Sequence, residues 1–373
     1  MGSRVFDGNP HPFQGARTFL PLMLLLAWWG ISGIFMAKNG VFFFISFFQY
    51  LLGAIVIITL PWILLKFKLV DFSLDAILAC ATVVAVVAML QAVLDPSQIF
   101  ENITSTLGPN HAHLGLYMLI ALAVALYRSH SRDGSWPSIV AFLAFVTILI
   151  SGSRAAQTGS LAILFVHFFR KISVANFAKM LVVLILAGLA FVYIMEQRKG
   201  STTKDDFTQE MRPDPNQEKF EIGNGVDVDK SAGRRLLMWF VSWKVITSSP
   251  DRFFLGIGFT NFRWEFGHLI ILPFYTNAAH DVFLQVWTET GLVGLLLYLW
   301  IFISLIRFSL RQRKTNPEIL LLAGLSIAML LTGLTQETLY PNEAMCNINV
   351  FFFSACVILM SHQQMRSDSK RSG

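Results

Sequence analysis

The stretch NAAHDVFLQVWTETGLVGLLLYLWIFISLI, residues 277–306, decides the fold of this chain. From Val282 to Ile306 it is apolar and long enough to cross a lipid bilayer as a helix, and Asp281 stands where such a helix needs a cap. Asp281, Gln285 and Glu289 are spaced i, i+4, i+8 and so stack on one helix face. Glu289 lies about 12 Å deeper than Asp281 at 1.5 Å per residue. A carboxylate at that depth costs at least about 2.5 kcal/mol in lipid, so it faces protein or water. A polar contact inside the bundle is the structural alternative to a role in binding. Gly291 and Gly294 allow a neighbouring helix to come close.

Working outward, similar apolar runs recur at 19–36, 41–65, 74–94, 113–127, 136–150, 157–169, 179–195, 318–335 and 347–361. With the run at 282–306 they predict an all-α, polytopic bundle of about ten transmembrane helices. The composition agrees: of 373 residues 54% are hydrophobic and 14% charged, well below the charge of soluble domains. The net charge of +6 is spread in short clusters between apolar runs, with no basic stripe, which excludes nucleic acid as a partner. Cys80, Cys346 and Cys356 are odd in number and lack a CxxC, so they indicate neither a disulfide framework nor a zinc site. The apolar run after the polar first 18 residues reads as a retained signal anchor.

Charge sets the expected orientation. With the N-terminus inside, the inner segments hold sixteen basic residues, among them Lys66, Lys68, Arg128, Arg307 and Arg311. The short outer loops hold only Lys38 and Arg154, the asymmetry of the positive-inside rule. The expected organisation is therefore a cytoplasmic N-terminus at 1–18 and helices 1–7 over 19–195. A large outer loop at 196–281, helices 8–10 over 282–361 and a cytoplasmic C-terminus at 362–373 complete it.

Several residues on the outer side carry potential chemistry. Arg154 follows the Ser151-Gly152-Ser153 break between two short helices, and it departs from the charge rule. An arginine at the mouth of a bundle is a functional candidate, with snorkelling to headgroups as the alternative. Arg235, Trp239 and Trp243 recur every four residues on an amphipathic segment, next to Arg234. That segment reads as a helix in the membrane interface. Gly256-Ile257-Gly258 lacks the third glycine of a dinucleotide fingerprint, where Asn261 stands, and reads as a tight turn. His111 and His113, after Gly108-Pro109-Asn110, lack a third metal ligand. Asp227 and Asp229 have the DxD spacing of metal-dependent glycosyltransferases, but they lie in a polar acidic loop that reads as a solvated face. Gln336, Glu337 and Glu343 are further outer residues able to join a site.

Taken in order, these pieces resemble the O-antigen ligase and polymerase superfamily, polytopic glycosyltransferases of the bacterial envelope. The resemblance is carried by Gly152-Ser153-Arg154, Arg235-x-x-x-Trp239, Pro250…Gly256-x-Gly258…Phe262, and His280-Asp281-x-Phe283-Leu284…Glu289-x-Gly291-x-x-Gly294, with Gly108-Pro109-Asn110 as a weaker motif. Many members carry His-Asn where this chain has His280-Asp281. The resemblance implies a GT-C-like inner-membrane protein with a periplasmic active site and both termini cytoplasmic. It implies transfer of a glycan from undecaprenyl diphosphate to an acceptor, lipid A-core or another glycan, without metal, cofactor or nucleotide sugar. By position Arg154, Arg235 and His280 are the catalytic candidates, and Arg234, Glu289, Asp281 and Asn110 the substrate-binding ones. Ligase and repeat-unit polymerase stay open as alternatives within this class. A transporter or flippase is the alternative from another class, and it predicts paired repeats and broken helices with ionisable groups near the midplane.

Overall fold

The computed structural model describes residues 16–95, 111–131, 134–169, 230–262, 279–336, 339 and 346–372. Among them the chain is all-α, without a strand. The helices are α1 Leu20–Met36, α2 Gly40–Lys66, α3 Val70–Leu94, α4 His111–Arg128, α5 Trp136–Ile150 and α6 Arg154–Phe169. They continue as α7 Lys230–Ile246, α8 Pro250–Leu255, α9 Val282–Gln312, α10 Leu320–Gly333 and α11 Cys346–Ser372. Every apolar run read from the sequence coincides with a helix except 179–195, which lies outside the described residues. Among the described residues five spans are long and apolar enough to cross a membrane: Arg17–Met36, Gly40–Lys66, Val70–Leu94, Val282–Gln312 and Ile348–Ser367. The protein is thus a multi-pass membrane protein. Helices dominate because a backbone in lipid must satisfy its own N–H and C=O groups.

The helices sort by how polar and how bulky their faces are. On α2, Phe44, Phe48, Leu52 and Trp62 point outward and exposed, a surface that only lipid suits. By contrast α4 is buried along nearly its whole length, from Ala112 to Tyr127. Its apolar residues run all round the helix, and Gly115, Ala121, Ala123 and Ala125 keep it thin. A helix of that kind belongs in the middle of a bundle. It packs against α5, α6, α10 and α11, while α9 is flanked by α1, α10 and the short α8.

Contacts at the helix ends define two poles. At one pole a Cβ on Gly115 of α4 would stand 2.8 Å from Ser153 and Ala156, and one on Gly333 of α10 would stand 2.7 Å from Val282. The starts of α4, α6 and α9 therefore share an end with the close of α10. At the opposite pole Arg128, closing α4, meets Asp71 and Asp75 in the first turns of α3. There Tyr127 Oη is 2.8 Å from Nδ1 of His362 on α11, and Asn316 donates to Gln363 at 2.7 Å. The helix expected to stop near 361 continues to Ser372, with residues 361–364 buried at this pole.

Candidate functional site

The first pole is built around a break. The single span expected over 282–306 is interrupted at Gly291, whose φ of 69° and ψ of −175° belong to a region only glycine occupies comfortably. Gly256, closing α8, has φ 79° and ψ −165°. The two glycines face each other: a Cβ on Gly256 would lie 2.4 Å from the carbonyl carbon of Glu289, and one on Gly291 would lie 2.1 Å from the Phe254 oxygen. Glycine at 291 does permit a close approach, but the visitor is the turn after α8, and the backbone bends to receive it. Ile257 N–H then donates to Thr288 O and Gly258 N–H to Glu289 O, both at 2.9 Å. The Gly256-x-Gly258 pattern is accordingly a turn, with both glycines at positive φ.

The segment 256–262 is next anchored by side chains. Glu289, 2% exposed, accepts from Thr260 N–H at 2.7 Å with one carboxylate oxygen and from Phe262 N–H at 2.8 Å with the other. Gln285 Nε2 adds a third donor at 3.1 Å. Asn261 ties the same segment to the end of α1, donating to Met36 O at 2.6 Å and accepting from Lys38 N–H at 2.9 Å. Trp28 and Trp287 reinforce the break through their indole N–H groups, which donate to Thr290 O and Phe253 O at 2.9 and 3.1 Å. Asn261 entered the sequence reading only as a missing glycine, and nothing local to Trp28 signals its contact 262 residues away.

His280 stands at the mouth of this junction, half-buried, with a left-handed φ of 53°. Its backbone is held from both sides. On one side Ala279 N–H donates to Gln285 Oε1 at 2.7 Å, and Ala279 O accepts from Trp239 Nε1 at 3.1 Å. On the other, Asp281 Oδ1 accepts from Phe283 and Leu284 N–H at 2.9 Å each, the helix cap read from the sequence. Burial raises the Asp281 carboxyl above its ordinary range, and those two N–H bonds act against the rise. Of the expected i, i+4, i+8 stack, the Gln285 and Glu289 side chains bond directly, whereas the Asp281 carboxylate turns to the helix cap.

Helix α7 lies against this assembly. Met238, Val245, Ile257, Phe262 and Ala279 form a small buried cluster of their own, with Trp239 and Leu284 packed on it. Trp243 is half exposed and meets the Trp287 ring edge-on at 5.8 Å. Arg235 lies one turn before Trp239, about 6 Å along the helix axis. The side chains of Arg234 and Arg235 lie outside the described residues.

Arg154 is at the same pole, exposed, as the first residue of α6. The turn before it depends on Gly152 at φ 69°, and Ser153 Oγ caps the helix through Ala156 N–H at 3.4 Å. Its guanidinium thus stands at the positive end of a helix, the reverse of the arrangement that stabilises a helix on its own. Asn110, Asp227, Asp229, Glu337 and Glu343 lie outside the described residues, and Gln336 is half-buried just beyond the end of α10.

The O-antigen ligase family model (Wzy_C) matches residues 139–299 of the chain. That region contains Arg154, Arg235, His280 and Glu289, and it links the chain to a family associated with glycan transfer. No curated protein matches the chain.

Proposed function

We propose that this protein is an inner-membrane glycosyltransferase that moves a glycan from undecaprenyl diphosphate to an acceptor, in the manner of an O-antigen ligase. Arg154 is the observation that carries the reading. It is an exposed arginine at the first residue of α6, and a permanently charged guanidinium there can pair bidentately with a phosphate. His280 belongs to the same pole, and the positive-inside asymmetry of the sequence supports a periplasmic position for that pole. No ATP is supplied there, so the donor must arrive activated, and a diphosphate leaving group meets the need.

In the proposed reaction the acceptor hydroxyl attacks the anomeric carbon of the lipid-linked sugar. The new carbon–oxygen bond forms as the bond to the diphosphate oxygen breaks. The hydroxyl proton passes to the imidazole of His280, acting as general base. Arg154 and Arg235 hold the phosphates as charge develops on the departing undecaprenyl diphosphate. Arg234, Asn110 and the polar helix ends supply the rest of the binding surface, and apolar helix faces hold the polyprenyl tail.

A break in α9 next to a buried carboxylate is also a transporter feature. Here, though, both oxygens of Glu289 are occupied by loop N–H groups, which favours a structural role for that carboxylate over a place on a transport pathway. Within the glycan-transfer class, ligation to lipid A-core and repeat-unit polymerisation both stay open, and the deletion strain below separates them.

The test replaces Arg154, Arg235 and His280 singly by Ala at equal expression and follows consumption of lipid-linked glycan. The expected loss is about 100-fold or more for each. Unimpaired turnover removes the proposal, and substrate uptake into proteoliposomes by the purified protein restores the transporter. A deletion strain accumulating unattached long glycan marks a ligase. One accumulating acceptors capped with single repeats marks a polymerase.

A further inference from the structure

We infer that Glu289 is a positioning residue, whose carboxylate clamps the 256–262 segment across the break in α9 and so sets the placement of His280. The inference rests on the reading of His280 as the proton acceptor. Glu289 was a candidate for contact with substrate, but its geometry points inward. Its two oxygens receive Thr260 N–H, Phe262 N–H and Gln285 Nε2–H at 2.7, 2.8 and 3.1 Å. Gln285, oriented by that third bond, uses its own carbonyl oxygen to hold Ala279 N–H at 2.7 Å, one residue before His280. The Ala279 carbonyl in turn takes the indole N–H of Trp239, on the helix that also carries Arg235. A single acidic side chain therefore connects the backbone beside the base to the helix bearing a candidate arginine.

The chemistry explains why the residue is an acid. Two backbone N–H groups converge on two oxygens, and only a carboxylate presents acceptors at both positions. In Glu289→Gln the amide –NH₂ would meet one of those N–H groups head-on, donor against donor. The clamp also accounts for a non-glycine residue at a left-handed φ: His280 keeps its φ of 53° because both flanking residues are bonded into rigid neighbours.

The experiment uses the full-length protein in membranes. Glu289→Gln is expected to lower kcat by about 30-fold and to leave KM for the lipid-linked donor within about twofold. In the His280→Ala background the same substitution is expected to change the residual rate by less than about twofold, because a residue acting through His280 has nothing left to position. A multiplicative loss in the double variant overturns the inference, as does full activity in Glu289→Gln alone. A second readout needs no catalysis. With Cys80, Cys346 and Cys356 replaced by Ser, His280→Cys is labelled by a membrane-impermeant thiol reagent with and without Glu289→Gln. Labelling about fivefold faster in the double variant supports the clamp, and equal rates reject it. If wild-type protein consumes no lipid-linked glycan, the proposed function fails while the labelling still decides the clamp. Should Glu289→Gln not accumulate, Glu289→Asp serves instead. It keeps the charge and withdraws the carboxylate by one methylene from Thr260 and Phe262 N–H, and faster labelling supports while unchanged labelling rejects.

Discussion

The two poles of the bundle are held by different chemistry. At the pole of Asp71, Asp75, Arg128 and His362, regular helices end and long side chains reach across to one another. At the pole of His280, helices break and side chains reach to backbone: Glu289 to Thr260 and Phe262, Asn261 to Met36, Trp239 to Ala279. An ion pair between helices adjusts to small shifts, because both partners have rotamers to spare. A carboxylate bonded to two backbone amides does not, since it fixes the peptide planes themselves. The rigid, irregular pole is the one that carries the candidate chemistry, as expected if its groups must be held in one geometry before substrate arrives.

That contrast breaks most visibly at Gly291. Gly291→Ala puts a Cβ 2.1 Å from the Phe254 oxygen in a backbone conformation that other residues avoid. We expect a loss above about 3 kcal/mol, read as disappearance of monodisperse protein on size-exclusion chromatography in detergent. Normal yield and melting temperature would mean that the two backbones are not in contact. At the opposite pole Arg128→Met removes the cation and leaves Asp71 and Asp75, both partly exposed to solvent. Water rescues the carboxylates, so the cost is smaller, about 1–3 kcal/mol, and turnover per folded molecule stays within about twofold. A specific loss of turnover there would show that the poles are coupled, against the division drawn here. The smallest effect belongs to the helix cap. Asp281→Ala loses two bonds to N–H groups and costs about 1 kcal/mol. Asp281→Asn keeps the acceptor oxygen and is close to neutral, both read by thermal unfolding. The raised carboxyl of Asp281 adds a sign: its ionisation in the folded state works against stability. The Asp281→Asn variant should therefore gain on the wild type as pH rises through the folded value, and lose the advantage below the unfolded one.

Much of this was legible before the structure. Apolar length located every described helix but α7 and α8, and the break at Ser151-Gly152-Ser153 is legible because glycine and serine interrupt an otherwise unbroken run. The cap at Asp281 followed from one residue's place before an apolar segment. Partnerships did not follow. Glu289 reads as an acid too deep in an apolar helix to be idle, and the depth says that it has partners without saying which. Besides Gln285 on its own helix face, it bonds backbone amides 27 and 29 residues away, which every sequence supplies equally. Gly291, placed among helix-packing glycines, instead ends one half of α9 and begins another, because the turn after α8 occupies the space its missing Cβ leaves.

The sequence by itself determined which segments are helical and membrane-bound, since lipid leaves a backbone no option but to bond within its own segment. It also determined which residue types stand at each helix end. Only the tertiary structure decided what those residues do, because hydrogen-bond partners far apart in the chain are chosen by packing. One acidic side chain became a clamp, and two others with Arg128 became a tie, according to what the fold set beside them.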